Sequence, residues 1–226
     1  TDQQWKDYSN SLQIDQTYPG INGLGVILNI TPEQRNSFIE TQQATRPDFS
    51  IHPTHEESEL WPITYIEPAL SNEQAIGLDV AFEHNRYTGI KKARDSGLAQ
   101  LTGPITLVQD AKQTPGFLFY APFYKKGMAH DSVNARQSSI EGVAYAPFIM
   151  YKLISGTLAI DKRLVTLEIN DNGQGLYNDL DSNETAEIDA KPLFTDKITV
   201  NFYGRQWQFV ISSNLSFRKD SHSNQP

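Results

Sequence analysis

The chain has no cysteine in its 226 residues, which removes disulfides, thiol nucleophiles and thiolate zinc sites together. It also lacks any apolar run near the roughly 18 residues that a membrane-spanning helix needs. No charged start with an apolar core, as in a signal peptide, is present. Basic residues are in deficit. The 19 Lys and Arg stand against 27 Asp and Glu, and a net charge of −8 disfavours a nucleic-acid or anionic-membrane surface. Catalytic signatures are missing as well: no serine sits in a G-x-S-x-G elbow, and none of the five histidines lies beside an orienting carboxylate in a strand-end context. A non-enzymatic domain meeting a small molecule is expected.

With 38 % hydrophobic residues, the chain can bury one large core or two small ones. The run GLGVILNI (Gly23–Ile30) suits a buried strand, and Thr31-Pro32-Glu33-Gln34 starts a helix with a capping-box pattern. That helix is expected over Pro32–Ala44, with Phe38 and Ile39 inward. ITYIE (Ile63–Glu67) alternates as a strand before a proline stop. From Asn85 to Ser96 the period turns helical, with Tyr87, Ile90 and Ala93 on one face, Arg86, Lys91, Lys92 and Arg94 on the others, and Gly97 as the stop.

An antiparallel hairpin should follow, with strands over Ile105–Gln109 and Gly116–Tyr124 joined by the polar turn DAKQTP. The polar segment GMAHDSVNARQ (127–137) is expected to link two lobes. Beyond it come a strand over Ser139–Ala146, a helix over Pro147–Ser155, a strand over Leu164–Asn170 and an aromatic-rich hairpin of Lys197–Tyr203 and Gln206–Ser212 turning at Gly204-Arg205. Helices interspersed with antiparallel hairpins predict two small α+β lobes. The opening TDQQWKDYSNSLQ starts within a helical pattern and the closing SFRKDSHSNQP is a polar tail, so a piece of a longer protein is expected.

Several clusters resemble chemical sites and read better as plain structure. In HPTHEE, His52 and His55 are three apart, but Pro53 opposes the helical turn a shared metal would need. Asp171, Asn172 and Gly173 with Asp179 and Asp181 do not alternate as calcium ligands do, and a hairpin turn explains them. Gly20, Gly23 and Gly25 precede a strand, whereas a phosphate loop precedes a helix. The sequons at Asn29, Asn183 and Asn214 read as chance occurrences. No metal or cofactor is expected. Arg86 has two readings: a surface pair with Glu83, worth about 0.2 to 1 kcal/mol, or a two-bond clamp on a carboxylate.

The segments YPGINGLGVI, PEQRNSF, ITYIEPALSNEQAIGLDV, ARDSG, LTGPITLVQD, PGFLFYAPFY, GVAYAPFIM and FYGRQWQF span most of the chain. In order and spacing they resemble the CHASE domain, the extracytoplasmic sensor of bacterial histidine kinases and diguanylate cyclases that plant cytokinin receptors also carry. The resemblance implies the end of a stalk helix at 1–16 and a membrane-distal PAS-like lobe at 17–126. A linker at 127–137, a membrane-proximal PAS-like lobe at 138–217 and a juxtamembrane tail at 218–226 would follow.

The resemblance further implies that the distal lobe binds a small molecule between its sheet and the helices over it. A homodimer formed through the stalk helix and distal lobe would pass occupancy to a cytoplasmic enzyme from the periplasmic side of a bacterial inner membrane. An ungapped alignment over Gly77–Gly103 sets Arg86 where cytokinin receptors have an aspartate that grips the adenine base. Bacterial members commonly carry arginine there. Thr102, Val108 and Tyr120 fall at the other pocket positions, and Phe82, Leu118 and Tyr120 would wall a pocket that suits a small, partly apolar anion. The other reading is a periplasmic protein-interaction domain without a small-molecule ligand, and a third is a hydrolase built around HPTHEE.

Overall fold

The computed structural model describes residues 2–108, 110, 114–159, 161, 163–181 and 187–223. Helix α1 (Asp2–Ser11) and the single turn α2 (Ile14–Thr17) lead in, and Trp5 Nε1 ties α1 to the Leu24 carbonyl at 3.1 Å. The first predicted strand is β1 (Leu24–Leu28). Thr31 N donates to Gln34 Oε1 at 3.0 Å, the capping box read from sequence, and a 3-10 turn over Pro32–Gln34 opens α3 (Arg35–Gln43). Phe38 and Ile39 face inward, against Ile30, Phe49, Ile51 and Leu60.

Strand β2 (Ile63–Glu67) stops at Pro68 as expected. Helix α4 (His84–Ser96) is capped by the Glu83 carboxylate and closed by Gly97, whose φ of 71° favours glycine. Tyr87, Ile90 and Ala93 are buried beneath it, but so are Arg86 and Arg94, which the charge pattern had placed on outer faces. Each found a polar contact that permits burial. Arg94 meets the Glu59 carboxylate at 2.9 Å and Asp95 at 2.6 Å, while Arg86 reaches the backbone of the sheet.

Strands β3 (Gln100–Leu101), β4 (Ile105–Thr106) and β5 (Pro115–Tyr124) follow, and β4 pairs antiparallel with β5. The strand expected over Ile105–Gln109 is thus shorter; Gln109 and half of the turn (111–113) lie outside the described residues, as do the sequon at Asn183 and residues 224–226 of the tail. Helix α5 (Val133–Ser139), capped by the Ser132 hydroxyl, forms inside the expected linker, and β6 (Ile140–Ile149) then runs between β1 and β5. The polar segment is therefore a crossover of the first lobe, not the bridge to the second. The linker expected at 127–137 thus precedes β6, a strand of the first sheet. Pro147 continues the strand because its pairing with β1 ends at Tyr145, so no ladder N–H is needed there, and the next helix, α6 (Met150–Thr157), starts three residues later than predicted.

The first sheet has the order β2-β1-β6-β5-β3, with β4 on β5. The second has the order β8-β7-β10-β9, from β7 (Val165–Asp171), β8 (Gln174–Asn178), β9 (Thr195–Phe202) and β10 (Arg205–Ser213). All named pairings are antiparallel, giving the two α+β lobes read from sequence. The β9–β10 turn sits at Tyr203-Gly204 (φ 38° and 79°), one residue before the expected place. Helix α7 (Leu215–Ser223) replaces most of the expected polar tail, with Asn214 Oδ1 accepting from Phe217 N at 2.9 Å.

Strand alternation gives β5 two roles. Leu118 and Tyr120 enter the core under α4 with Ile90, Val143 and Tyr145. Phe117 and Phe119 point the other way, into the core of the second sheet with Met150, Ile169 and Trp207. Phe117 stacks on Phe148 at 4.8 Å and meets Trp207 edge-on at 5.2 Å.

Two close fits generate predictions. A Cβ on Gly25 would stand 2.3 Å from Tyr145 Cε1 and 2.4 Å from the Tyr65 carbonyl oxygen. Gly25→Ala should therefore cost about 1–3 kcal/mol in urea unfolding. Asp179 holds Arg163 through two bonds of 2.7 and 3.0 Å and also accepts from Leu167 N and Tyr177 Oη. Asp179→Ala strands a buried guanidinium and should cost about 3–5 kcal/mol by the same measurement.

Candidate functional site

The site is built on the entry to α4. Asp79 is fully buried, and its Oδ1 accepts from Trp61 N at 2.9 Å and Ala81 N at 3.0 Å. A 3-10 turn over Val80–Phe82 follows, and Glu83 then caps the helix, accepting from Asn85 N and Arg86 N. The segment 52–62 is strapped across this corner. His55 Nε2 lies 2.9 Å from Asp79 Oδ2, and Glu59 bonds Arg94 and the Trp61 indole. His55 Nδ1 accepts from Glu57 N at 3.2 Å. His52 turns to a different partner, the Ser50 carbonyl. HPTHEE is a structural latch: among the described residues no group of three metal-ligating side chains forms.

Arg86 stands at the centre, 4 % exposed. Its Nη2 donates to the Thr106 carbonyl at 2.8 Å. Nε is 4.0 Å from Glu83 Oε2, beyond hydrogen-bond reach, and Glu83 already serves two backbone amides. Nε and Nη1 have no hydrogen-bond partner among the described residues. The guanidinium carbon lies 5.5 Å from the Phe82 ring centre. A buried guanidinium with one neutral acceptor and open donors is costly unless an anion joins it.

Two hollows meet at this residue. The outer cleft, about 440 Å³, is lined by Phe82, Glu83, Arg86, Ile105, Thr106 and Val108 among others. The inner cavity is about 10 Å³, room for one water, and is walled by Ile63, Val80, Leu107, Leu118 and Tyr145. Arg86 and Val108 line both. The hydroxyls of Tyr120 and Tyr145 are buried without a partner among the described residues. Burial pushes both phenols upward, which keeps them neutral donors, and the Arg86 charge opposes that rise in each.

Of the residues expected to form the pocket, Phe82, Arg86 and Val108 line the outer cleft and Arg86, Val108 and Leu118 the inner cavity. Thr102 and Tyr120 line neither. The Thr102 hydroxyl is spent, donating to the Gly103 carbonyl at 2.8 Å and accepting from Leu118 N at 2.9 Å. Tyr120 packs under Gly89, where a Cβ would stand 3.3 Å from its ring. Tyr145 was not among the expected residues. The alternation of GVAYAPFIM carried the signal, since Val143 and Tyr145 share a face, but the neighbour of β6 had to be known to say which cavity that face meets.

Comparisons with known proteins agree with this architecture. The CHASE domain profile matches residues 1–184, which takes in the first lobe and the β7–β8 hairpin. The chain is 22 % identical over 251 residues to "Hybrid signal transduction histidine kinase A" of Dictyostelium discoideum, covering 98 % of this chain but only 12 % of that protein. Among solved structures, it is similar to "Extracellular ligand binding receptor from Desulfohalobium retbaense DSM5692", with a TM-score of 0.52 and 9 % identity, over 92 % of this chain and 32 % of the other. That likeness is one of fold. Two antiparallel lobes, a helix-covered first sheet and a profile match over most of the length lead to one conclusion: the chain belongs to the CHASE domain family, whose members are sensory and non-catalytic.

Proposed function

We propose that this chain is the ligand-sensing region of a membrane-anchored signalling protein, and that it binds a small anion non-covalently at Arg86 without chemical change. In this reading residues 1–16 end a stalk helix and the lobe of the first sheet is membrane-distal. Paired stalks carry occupancy from the periplasmic side of a bacterial inner membrane to a histidine kinase or cyclic-dinucleotide enzyme. The observation that supports it is the buried Arg86 guanidinium, whose Nε and Nη1 lack partners among the described residues at the meeting of two hollows. A carboxylate there would supply the missing charge and accept from those donors, and Phe82 and Val108 would cover an apolar body.

Switching requires a preference between two arrangements, about 1.4 kcal/mol for each tenfold shift in population. Strand β5 supplies a route, because the face opposite Leu118 is packed into the second lobe. The second reading, a protein-interaction domain without a small-molecule ligand, draws on the small inner cavity and on Phe82 and Val108, 41 % and 40 % exposed at the cleft.

A thermal-shift screen of small carboxylates separates the two readings, since a ligand at 100 times its dissociation constant adds about 2.7 kcal/mol of stability. Arg86→Met sharpens the test. Removing a buried charge whose carboxylate neighbour, Glu83, stands 4.0 Å away should cost the unliganded protein little stability while abolishing the ligand-induced shift. Undiminished affinity in that variant would contradict the anion site. A protein partner retained by wild type and lost on Phe82→Asp, with no carboxylate binding, would favour the second reading.

A further inference from the structure

The outer cleft at Arg86 does not end in the first lobe. Pro115, at the start of β5, and Gly175, on β8, line it, and both also line a neighbouring cleft of about 220 Å³ on the second lobe. The two hollows therefore share a wall where the lobes meet. The outer cleft holds both signs, Arg86 and Glu83, whereas the second is acidic. Glu168 and Asp181 border it together with the rings of Tyr151 and Tyr177, and no lysine, arginine or histidine among the described residues does.

Its groups are held in place. Tyr177 Oη donates to Asp179 at 2.7 Å, fixing the ring, and Asn170 Nδ2 donates to Glu168 Oε1 at 2.7 Å. Asp179 itself is neutralised by the Arg163 guanidinium, so the carboxylates left to face a ligand are Glu168 and Asp181. Carboxylates beside aromatic faces suit an ammonium group, by charge and by attraction to the ring quadrupole. At the other end stands Arg86, 4 % exposed, with Nε and Nη1 unpartnered among the described residues. Between the ends, the two clefts have Pro115 and Gly175 in common.

We infer that the ligand is bipolar, with a carboxylate held by Arg86 and an ammonium group held by Glu168 and Asp181, joined by an extended apolar spacer that passes Pro115 and Gly175. ω-Amino acids and basic amino acids have this shape. The inference rests on the reading of Arg86 as an anion site, and it adds a reason for signalling. Such a ligand touches both lobes at once, so its binding energy depends on how they are set.

The test is isothermal titration calorimetry of this chain with ε-aminocaproate and with caproate, which differ only in the terminal ammonium. Wild type should bind ε-aminocaproate about tenfold more tightly, the scale of one charged hydrogen bond. Glu168→Gln with Asp181→Asn should equalise the two ligands. Gly175→Val should weaken ε-aminocaproate by adding bulk where the two clefts adjoin, and should fold, because a Cβ there meets only Asn170 Oδ1, at 4.0 Å. Equal or tighter binding of caproate by wild type, or a preference that survives the double substitution, would overturn the bipolar ligand and leave the anion site standing. Binding of neither compound by wild type at millimolar concentration would overturn both.

Discussion

Strand β5 is the constraint on which the rest of the molecule depends. Its alternation sends Leu118 and Tyr120 beneath α4 and Phe117 and Phe119 into the aromatic core of the second sheet. Neither lobe can shift its packing on β5 without being felt by the other, because close-packed interiors transmit displacement instead of absorbing it. Phe117, against Phe148 and Trp207, and Phe119, against Tyr203, carry the ring contacts from this strand to the second lobe. One strand thus joins the packing of the two lobes.

Against this rigid element the corner at α4 is held by polar contacts. Asp79 fixes the 3-10 turn, Glu83 fixes the first helical turn, and the strap over 52–62 is pinned by His55–Asp79 and Glu59–Arg94. Every one of these carboxylates has a partner. Arg86, in the same corner, keeps two donor atoms without a partner among the described residues. Arg94 shows the structural pattern on the same helix: its Nε and Nη1 are held by the Asp95 and Glu59 carboxylates.

Much of the fold could be read from sequence because its signals are local. The Thr31–Gln34 capping box, the alternation of Ile63–Glu67 and the Gly97 stop each depend on a few adjacent residues, and each is realised. What escaped was long-range. The segment 127–137 has the composition of a linker, but exposed crossover helices share that composition, and only the pairing of β6 with β1 tells them apart. Burial of Arg86 and Arg94 ran against their charge because the compensating contacts come from Thr106, Glu59 and the helix neighbour Asp95. At the site, sequence pointed to Phe82, Arg86, Thr102, Val108, Leu118 and Tyr120; Tyr120 and Thr102 line neither hollow, and Thr102 is a hydrogen-bonded staple between a loop and β5. Tyr145, whose place depends on sheet order, was not foreseen.

The central claim is that occupancy at Arg86 reaches the second lobe through β5. The most direct measurement is the indole N–H resonance of Trp207 by nuclear magnetic resonance during titration with a carboxylate that binds the cleft. Trp207 touches no part of the cleft but packs on Phe117. The account predicts that its resonance moves in step with that of the Arg86 side chain and that Arg86→Met silences both changes. A Trp207 resonance that stays fixed while the cleft saturates would contradict it.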